Sequence, residues 1–379
     1  MTTTEPVDIR AAARNAAWDA RNVKTGPGPK WKTPAERARS LGLRGIRLPT
    51  PFETFNKATR GGPLTGRVVV VGGAPGAGKT TMLLQIARHY ALQGHHVCVL
   101  AADEEADGLA IRWGQQEGLS RDDLEAGQEQ AREWLAARFE ALESFFLIDQ
   151  DEHDDLTLDF VAEKLGELTK ATGRPGVLIA DSIQTLRAAG TEEAADNERR
   201  RIDIVMKAAK KAAKVHGHLV MLTSEMARGF YRSKDAQQRT DALAAFKESG
   251  SIEYGVGTAL ALVSVPETKD LVDVIMAKNR LGEKLDFRIE LDRARAKFDE
   301  VDTPDEDEQA RRRWEALKKK ILAACPQPSK TGFYRVVGGK RNDVWDCITE
   351  LIADGQLVEV GGMWCACTDP KPVIGTEHA

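Results

Sequence analysis

The chain has 379 residues, 42% of them hydrophobic and 30% charged, with a formal net charge of -4. That length allows one large domain and a small one, and the near-neutral balance excludes a globally basic nucleic-acid binder, so any such contact must come from local patches. No apolar run approaches the ~20 residues of a membrane span, and five cysteines, an odd number without C-x-x-C spacing, fit reduced thiols in a cytoplasmic protein with neither disulfides nor a zinc site.

Residues 1–45 read as a flexible arm, rich in Ala, Arg, Pro and Gly and lacking the basic-then-apolar layout of a signal peptide. Within it GPGPKWKTP (26–34) is a linker-like stretch, and 9–21 is either a frayed tail or a short helix that docks on a neighbouring subunit. From Arg67 the pattern changes. Runs at 68–73, 96–103, 145–149, 176–181 and 218–224 are short, apolar on both parities and rich in branched residues, as strands buried on both faces should be. Helical patterns at 80–92, 129–142, 158–172 and 197–216 fill the gaps. Strands alternating with helices predict an α/β fold with a mainly parallel central sheet, here within a domain at 46–300. The rhythm then switches to runs at 258–266, 270–279 and 284–292 with no helix between, which predicts an antiparallel meander added to the sheet edge. An acidic linker is expected at 301–310. Beyond it, Trp314, Leu317, Ile321 and Leu322 form a helical stripe, 329–337 and 341–355 read as two more helices, and 356–366 as a hairpin around Gly361-Gly362. Three helices and a hairpin predict a small C-terminal winged helix at 311–370, with a tail at 371–379.

The chemistry begins where the first strand meets the first long helix. Gly73, Ala74, Pro75, Gly76, Ala77, Gly78, Lys79 and Thr80, followed by Thr81, fit the P-loop pattern G-x-x-x-x-G-K-[ST]. Backbone N–H groups can curl round a phosphate most closely where there are no side chains, and the helix after the loop adds its positive end. Lys79 supplies a point charge for the outer phosphates and the Thr80 hydroxyl a ligand for Mg²⁺, which makes ATP and Mg²⁺ the expected cofactors. Asp181, at the tip of an otherwise apolar strand, is either the second metal-holding carboxylate or a cap for the next helix. Asp103, Glu104 and Glu105 end the strand after the P-loop helix: either one of them faces the attacking water, or they cap a helix from Ala106.

Taken together, these residues resemble the RecA-like ATPase superfamily in its DnaB-type replicative helicase branch, over roughly residues 45–300. The segment 52–81 resembles the family's approach to the P-loop, DSIQTL (181–186) its Walker B segment, and 197–228 its helix, strand and polar sensor. Residues 243–262 are similar to the part that carries DNA-loop residues, and 277–292 to its last hairpin. The resemblance implies that Lys79 and Thr80 hold phosphate and Mg²⁺, that Asp181 holds the metal through water, and that Glu104 is the catalytic glutamate. It puts Glu225 at the sensor, where the family usually has glutamine, and an acid there is repelled by a triphosphate unless protonated or paired. Lys278 and Arg280 are implied to act in trans on the next subunit's γ-phosphate, a contact typically worth ~1,000-fold or more in rate. A short arm, a RecA core and a C-terminal winged helix look most like plasmid- or phage-encoded helicase-type ATPases, without the N-terminal domain of bacterial replicative helicases.

The implied partner is single-stranded DNA, threaded through a homo-oligomer, a hexameric ring with nucleotide at its subunit interfaces. Between two strands, 227–250 carries Arg228, Arg232, Lys234, Arg239 and Lys247 with Phe230 and Tyr231 among them: either a DNA-tracking loop or a solvated charged one. A second candidate loop is 187–201. The lysines of 207–214 have the spacing of a solvated helix face. Lys340, Arg341 and Asn342 open the third helix of the winged unit, but Asp343, Asp346 and Glu350 on the same helix leave DNA and a protein partner, such as a replication or loader protein, both open. His153, His216 and His218 have no ligand-like grouping. Two other functions fit parts of the pattern. DSIQT and KNRLG (278–282) also resemble the RadA branch of recombination and branch-migration ATPases, though no cysteine for that branch's zinc finger precedes Cys98. A non-unwinding, ATP-switched regulator or loader acting through the winged helix is the third.

Overall fold

The computed structural model describes residues 33–39, 45–194, 196–227, 242, 245–246, 252, 255–265, 268, 270–302, 306–338 and 341–367. The chain divides into two units, one of residues 1–263, 275–285 and 293–297, the other of 264–274, 286–292 and 298–379.

In the first unit two short helices, α1 (Pro34–Arg39) and α2 (Glu53–Ala58), precede a parallel sheet. Strands β1 (Val68–Gly73), β2 (His96–Ala101) and β4 (Gly176–Asp181) bury every residue, as Val- and Leu-rich strands covered on both faces do. With β3 (Phe145–Asp149) and β5 (Leu219–Glu225) they run parallel in the order β3-β2-β4-β5-β1. The connections are α3 (Lys79–Leu92), α4 (Ala106–Gln116), α5 (Arg121–Glu125), α6 (Glu129–Glu140), α7 (Leu158–Thr172) and α8 (Glu198–His216). Sequence reasoning reaches four of these six, meets α4 only as the helix from Ala106 that the acidic triplet would cap, and misses α5, where acids and glycines thin the apolar stripe.

Local chemistry sets the ends. Thr157 Oγ1 accepts from Phe160 N at 3.3 Å and Asn197 Oδ1 from Arg200 N at 2.9 Å, capping α7 and α8. Both helices stop at a glycine in the left-handed region, Gly173 and Gly217. Val161, Ala162 and Leu165 of α7 and Ile202, Val205, Met206 and Ala209 of α8 join one core with Val68, Val70, Leu178 and Val220 of the sheet. Lys207, Lys211 and Lys214 lie on α8's exposed side, as the spacing predicts, and Lys210 is half-buried.

The expected meander lies beyond β1 in the strand order, and its first strand joins the sheet in parallel. Strand β6 (Thr258–Ser264) pairs with β1 in parallel, Val69 opposite Thr258 through Gly73 opposite Leu262, and β7 (Leu271–Asn279) follows it in the order β1-β6-β7. A parallel neighbour requires a crossover of a dozen or more residues, and 226–257 supplies that length. The antiparallel element lies in the second unit, where β7 meets β8 (Phe287–Asp292), Leu271 opposite Glu290 through Val274 opposite Phe287. An unexpected strand, β9 (Lys297–Val301), comes next.

The remainder of the second unit is three helices, α9 (Glu306–Ala323), α10 (Lys330–Val337) and α11 (Arg341–Ala353), and a hairpin of β10 (Leu357–Val360) and β11 (Met363–Ala366). Helix α9 begins inside the stretch expected to be linker. Gly361 and Gly362, at φ +60° and +79°, make the tight turn. Ile321, Phe333, Val344, Cys347, Ile348, Leu351 and Leu357 form a separate core. At its rim Glu350 accepts from Lys318 Nζ at 2.6 Å and from the Trp314 indole N–H, tying α9 to α11. Among the described residues no helix is long and apolar enough to cross a membrane.

Candidate active site

The loop from Gly73 to Thr80 leaves the tip of β1 and turns into α3. Gly76 and Gly78 have φ of +76° and +88°, so glycine is what that turn requires. The turn is held by Ala77 N donating to Ala74 O at 3.1 Å, and α3 starts at Lys79 with its first N–H groups turned toward the loop. Lys79 Nζ folds back to donate to Gly73 O at 3.2 Å and Ala74 O at 3.1 Å. Burial pushes its pKa down, while Asp181, Glu225 and Asp103 pull it back up.

Asp181, 6% exposed at the end of β4, accepts from Thr80 Oγ1 on one carboxylate oxygen and from Thr223 Oγ1 on the other. Its carbonyl accepts from Ala102 N and Asp103 N at 2.8 and 2.9 Å, which ties the tips of β2 and β4 together. Both carboxylate oxygens are thus engaged by hydroxyls rather than by the start of a helix. The Thr80 hydroxyl and the Asp181 carboxylate are hard oxygen donors side by side, a set that fits Mg²⁺.

The acidic triplet does not act as one cluster. Helix α4 is capped by Asp149 of β3, whose Oδ2 accepts from Ala106 N at 3.0 Å. Asp103 is the member that shares a field with Lys79. Partial burial and the charges of Asp181 and Glu225 push its carboxyl up, and Lys79 opposes them. Glu104 turns the other way and takes a two-pronged contact from Arg112, at 2.7 and 2.8 Å. Beside the triplet opens a cleft of about 360 Å³ lined by Asp103, Glu104, Glu105, Asp149, Asp151 and Glu152. Six acids would repel a triphosphate, so the loop suits an anion better than this cleft does.

Glu225, exposed at the end of β5, stands opposite Gly73 in the β1–β5 register. Its N–H donates to Gln184 Oε1 at 3.3 Å, and Gln184 Nε2 donates to Ser224 Oγ at the same distance. The structure therefore gathers Lys79, Thr80, Asp181, Asp103 and Glu225 at one end of the sheet. It does not bring Lys278 or Arg280 there. Arg280 N donates to Gly257 O and Gly257 N to Val68 O, both at 2.9 Å, which sets Arg280 level with the opposite end of β1. Five residues of strand, about 17 Å, separate that level from Gly73, more than an arginine side chain spans.

Thr223, Gln184, Asp149 and Arg112 were not among the expected site residues. Thr223 had only a weak signal, the first hydroxyl after an apolar run and followed at once by Ser224. Arg228, Arg232, Lys234, Arg239 and Lys247 lie outside the described residues, as do Phe230, Tyr231 and Lys340. In the second candidate loop Arg187 is turned inward, its N–H on Gln150 Oε1 at 2.8 Å and its guanidinium on Gln150 O and, at 3.3 Å, Asp154. At the start of α11 Arg341 and Asn342 are exposed, and the Arg341 guanidinium lies 4.6 Å from the centre of the Trp345 ring.

Comparison with known proteins adds three findings. Residues 47–300 match the family described as the DnaB-like helicase C-terminal domain. Curated relatives match over shorter stretches. The DNA repair protein RadA of Chlamydia trachomatis serovar D is 36% identical over 67 residues, 18% of this chain and 15% of the relative. RadA of Bacillus subtilis is 25% identical over 147 residues, 39% of this chain and 31% of the relative. The chain thus spans less than a third of the length of these two relatives. Among solved structures, one ATPase domain superposes with a TM-score of 0.57 at 16% identity, covering 79% of this chain and 100% of that one. A DnaB-like replicative helicase, solved in a study of its interactions with primase, gives 0.59 at 17% identity, covering 76% of this chain and 71% of that one. These two likenesses establish the RecA-like fold of the core.

Proposed function

Since this chain belongs to the DnaB-like helicase C-terminal domain family, we propose that it is an ATP-driven motor on single-stranded DNA, most simply a replicative-type helicase. One observation carries the reading: Lys79, Thr80, Asp181 and Thr223, from three separate segments, converge on the end of the glycine loop. In this reading the N–H groups of Gly76 to Thr80 and the Lys79 ammonium hold the β- and γ-phosphates. Mg²⁺ would be held by the Thr80 hydroxyl and, through water, by Asp181, and would supply charge neutralisation for the phosphate oxygens. A water attacks the γ-phosphorus, the bond to the β,γ-bridging oxygen breaks, and ADP and inorganic phosphate leave. Glu104 takes the water's proton. Glu225, beside Gly73, senses the nucleotide, with Gln184 as the amide within its reach.

Lys278 and Arg280 serve the neighbouring copy. The position of Arg280 at the far end of β1 supports this, since it cannot reach its own loop. A shared site of that kind makes a ring, taken here as a hexamer, part of the catalysis. The loop at 227–250 is the DNA contact. The three helices and hairpin of 306–366 act as a winged helix that binds DNA or a partner protein.

ATP turnover with and without single-stranded DNA tests the reading. Turnover stimulated by DNA and lost in Lys79→Ala supports it, and slow turnover indifferent to DNA favours an ATP-switched regulator instead. The RadA matches favour a second reading, a recombination or branch-migration ATPase. Strand unwinding without branch migration supports the helicase, and the reverse result supports that alternative.

A further inference from the structure

Gly108 and Arg112 are four residues apart on one face of α4, and Glu104 lies two residues before the helix begins. The Arg112 guanidinium holds both carboxylate oxygens of Glu104, at 2.7 and 2.8 Å, with side-chain exposures of 21% and 35%. A two-pronged, partly buried contact of this kind is among the stronger charge-assisted pairs. Gly108 makes room for it: a Cβ built there would lie 2.9 Å from Glu104 Oε1. The carboxylate therefore lies back across the first turn of α4, with both oxygens occupied. Meanwhile Asp103, its neighbour, stays in the field of Lys79.

We infer that Arg112 is a positioning residue that latches Glu104 in a resting position, so that hydrolysis waits until the carboxylate is released toward the loop. The inference rests on the reading of Glu104 as the group that takes the proton from water. While Arg112 holds it, the carboxylate is oriented on the guanidinium and not on that proton. The gap at Gly108 is what lets the side chain lie back, so the latch has two parts, an anchor and a recess. Its consequence is that turnover without DNA is held low by a side-chain contact on α4 and not by the P-loop itself.

The experiment compares ATP turnover of the full chain, with and without single-stranded DNA, in the wild type, Arg112→Gln and Gly108→Ala. Arg112→Gln removes the anchor. Gly108→Ala fills the recess without touching a charge and favours the helix, so the protein folds. Both should raise the DNA-free kcat by about 10-fold, the scale of one charge-assisted pair, with KM for ATP unchanged. Arg112→Lys, which keeps the charge but not the fork, should fall between. Adding Glu104→Gln to either variant should abolish the gain. A DNA-free kcat in Gly108→Ala that is unchanged or lower overturns the latch and leaves the ATPase reading standing, as does a gain that survives Glu104→Gln. A wild type with no turnover in either condition overturns the ATPase reading and the latch together.

Discussion

Asp103 holds its proton more tightly than an ordinary aspartate, because of partial burial and then the charges of Asp181 and Glu225. For an acid raised in the folded state, the ionised form is the costly one. The stability it contributes is present at low pH and lost as pH rises through the folded-state value. Asp103→Asn should therefore raise the melting temperature at pH 8, and the gain should shrink as pH falls toward the ordinary aspartate value; thermal melts across that range check it. Thr223 makes a different kind of contribution. Its hydroxyl satisfies one oxygen of a buried carboxylate, so Thr223→Val should destabilise the fold by about 1–3 kcal/mol in denaturant melts, the cost of leaving that oxygen without a partner. The two residues also mark what sequence can reveal. The glycine loop was legible because its eight positions are consecutive and each has its own physical reason. Thr223 and Arg112 act through partners 42 and 8 residues away. In the sequence one looks like another strand hydroxyl and the other like another helix charge.

Elements were legible where burial imposed a repeating pattern. Strands β1 and β4 begin and end where their apolar runs do, since a strand covered on both faces has no freedom to be polar. Strand direction was not legible for β6, because a short apolar run looks alike whether it runs parallel or antiparallel, and the crossover before it has no clean helical period. The join between β1 and its neighbours has a sharp test. A Cβ on Gly72 would lie 2.4 Å from the Phe246 ring and 2.9 Å from Met226. Gly72→Ala should therefore cost about 1–3 kcal/mol by overpacking, read in urea melts. The approach to β5 carries a pH effect. The buried imidazole of His218, with Nε2 2.9 Å from Ala162 O, has its pKa lowered by burial to about 4. The fold keeps it neutral while the unfolded chain takes up a proton near the ordinary histidine value. Stability is thus present above that value and lost as pH falls through it toward 4, by about 3 kcal/mol. His218→Gln should flatten that loss in urea melts at pH 7.5 and 5.

At the scale of the whole molecule, the test of a shared site is complementation. Lys79→Ala and Arg280→Ala should each be inactive alone, with nucleotide binding retained in Arg280→Ala, and a mixture should recover part of the turnover at interfaces that pair one variant's intact Arg280 with the other's intact loop. No recovery in mixtures whose co-assembly is verified by sedimentation counts against the trans assignment. The separation along β1 that underlies this test has a further consequence. If one end of the strand gives and the other receives, every copy is vectorial, and the contact between copies joins two unlike surfaces instead of a surface with itself. Such a joint cannot end in a symmetric pair. Any open string of copies keeps one unfinished terminus of each kind, and only closure leaves none idle.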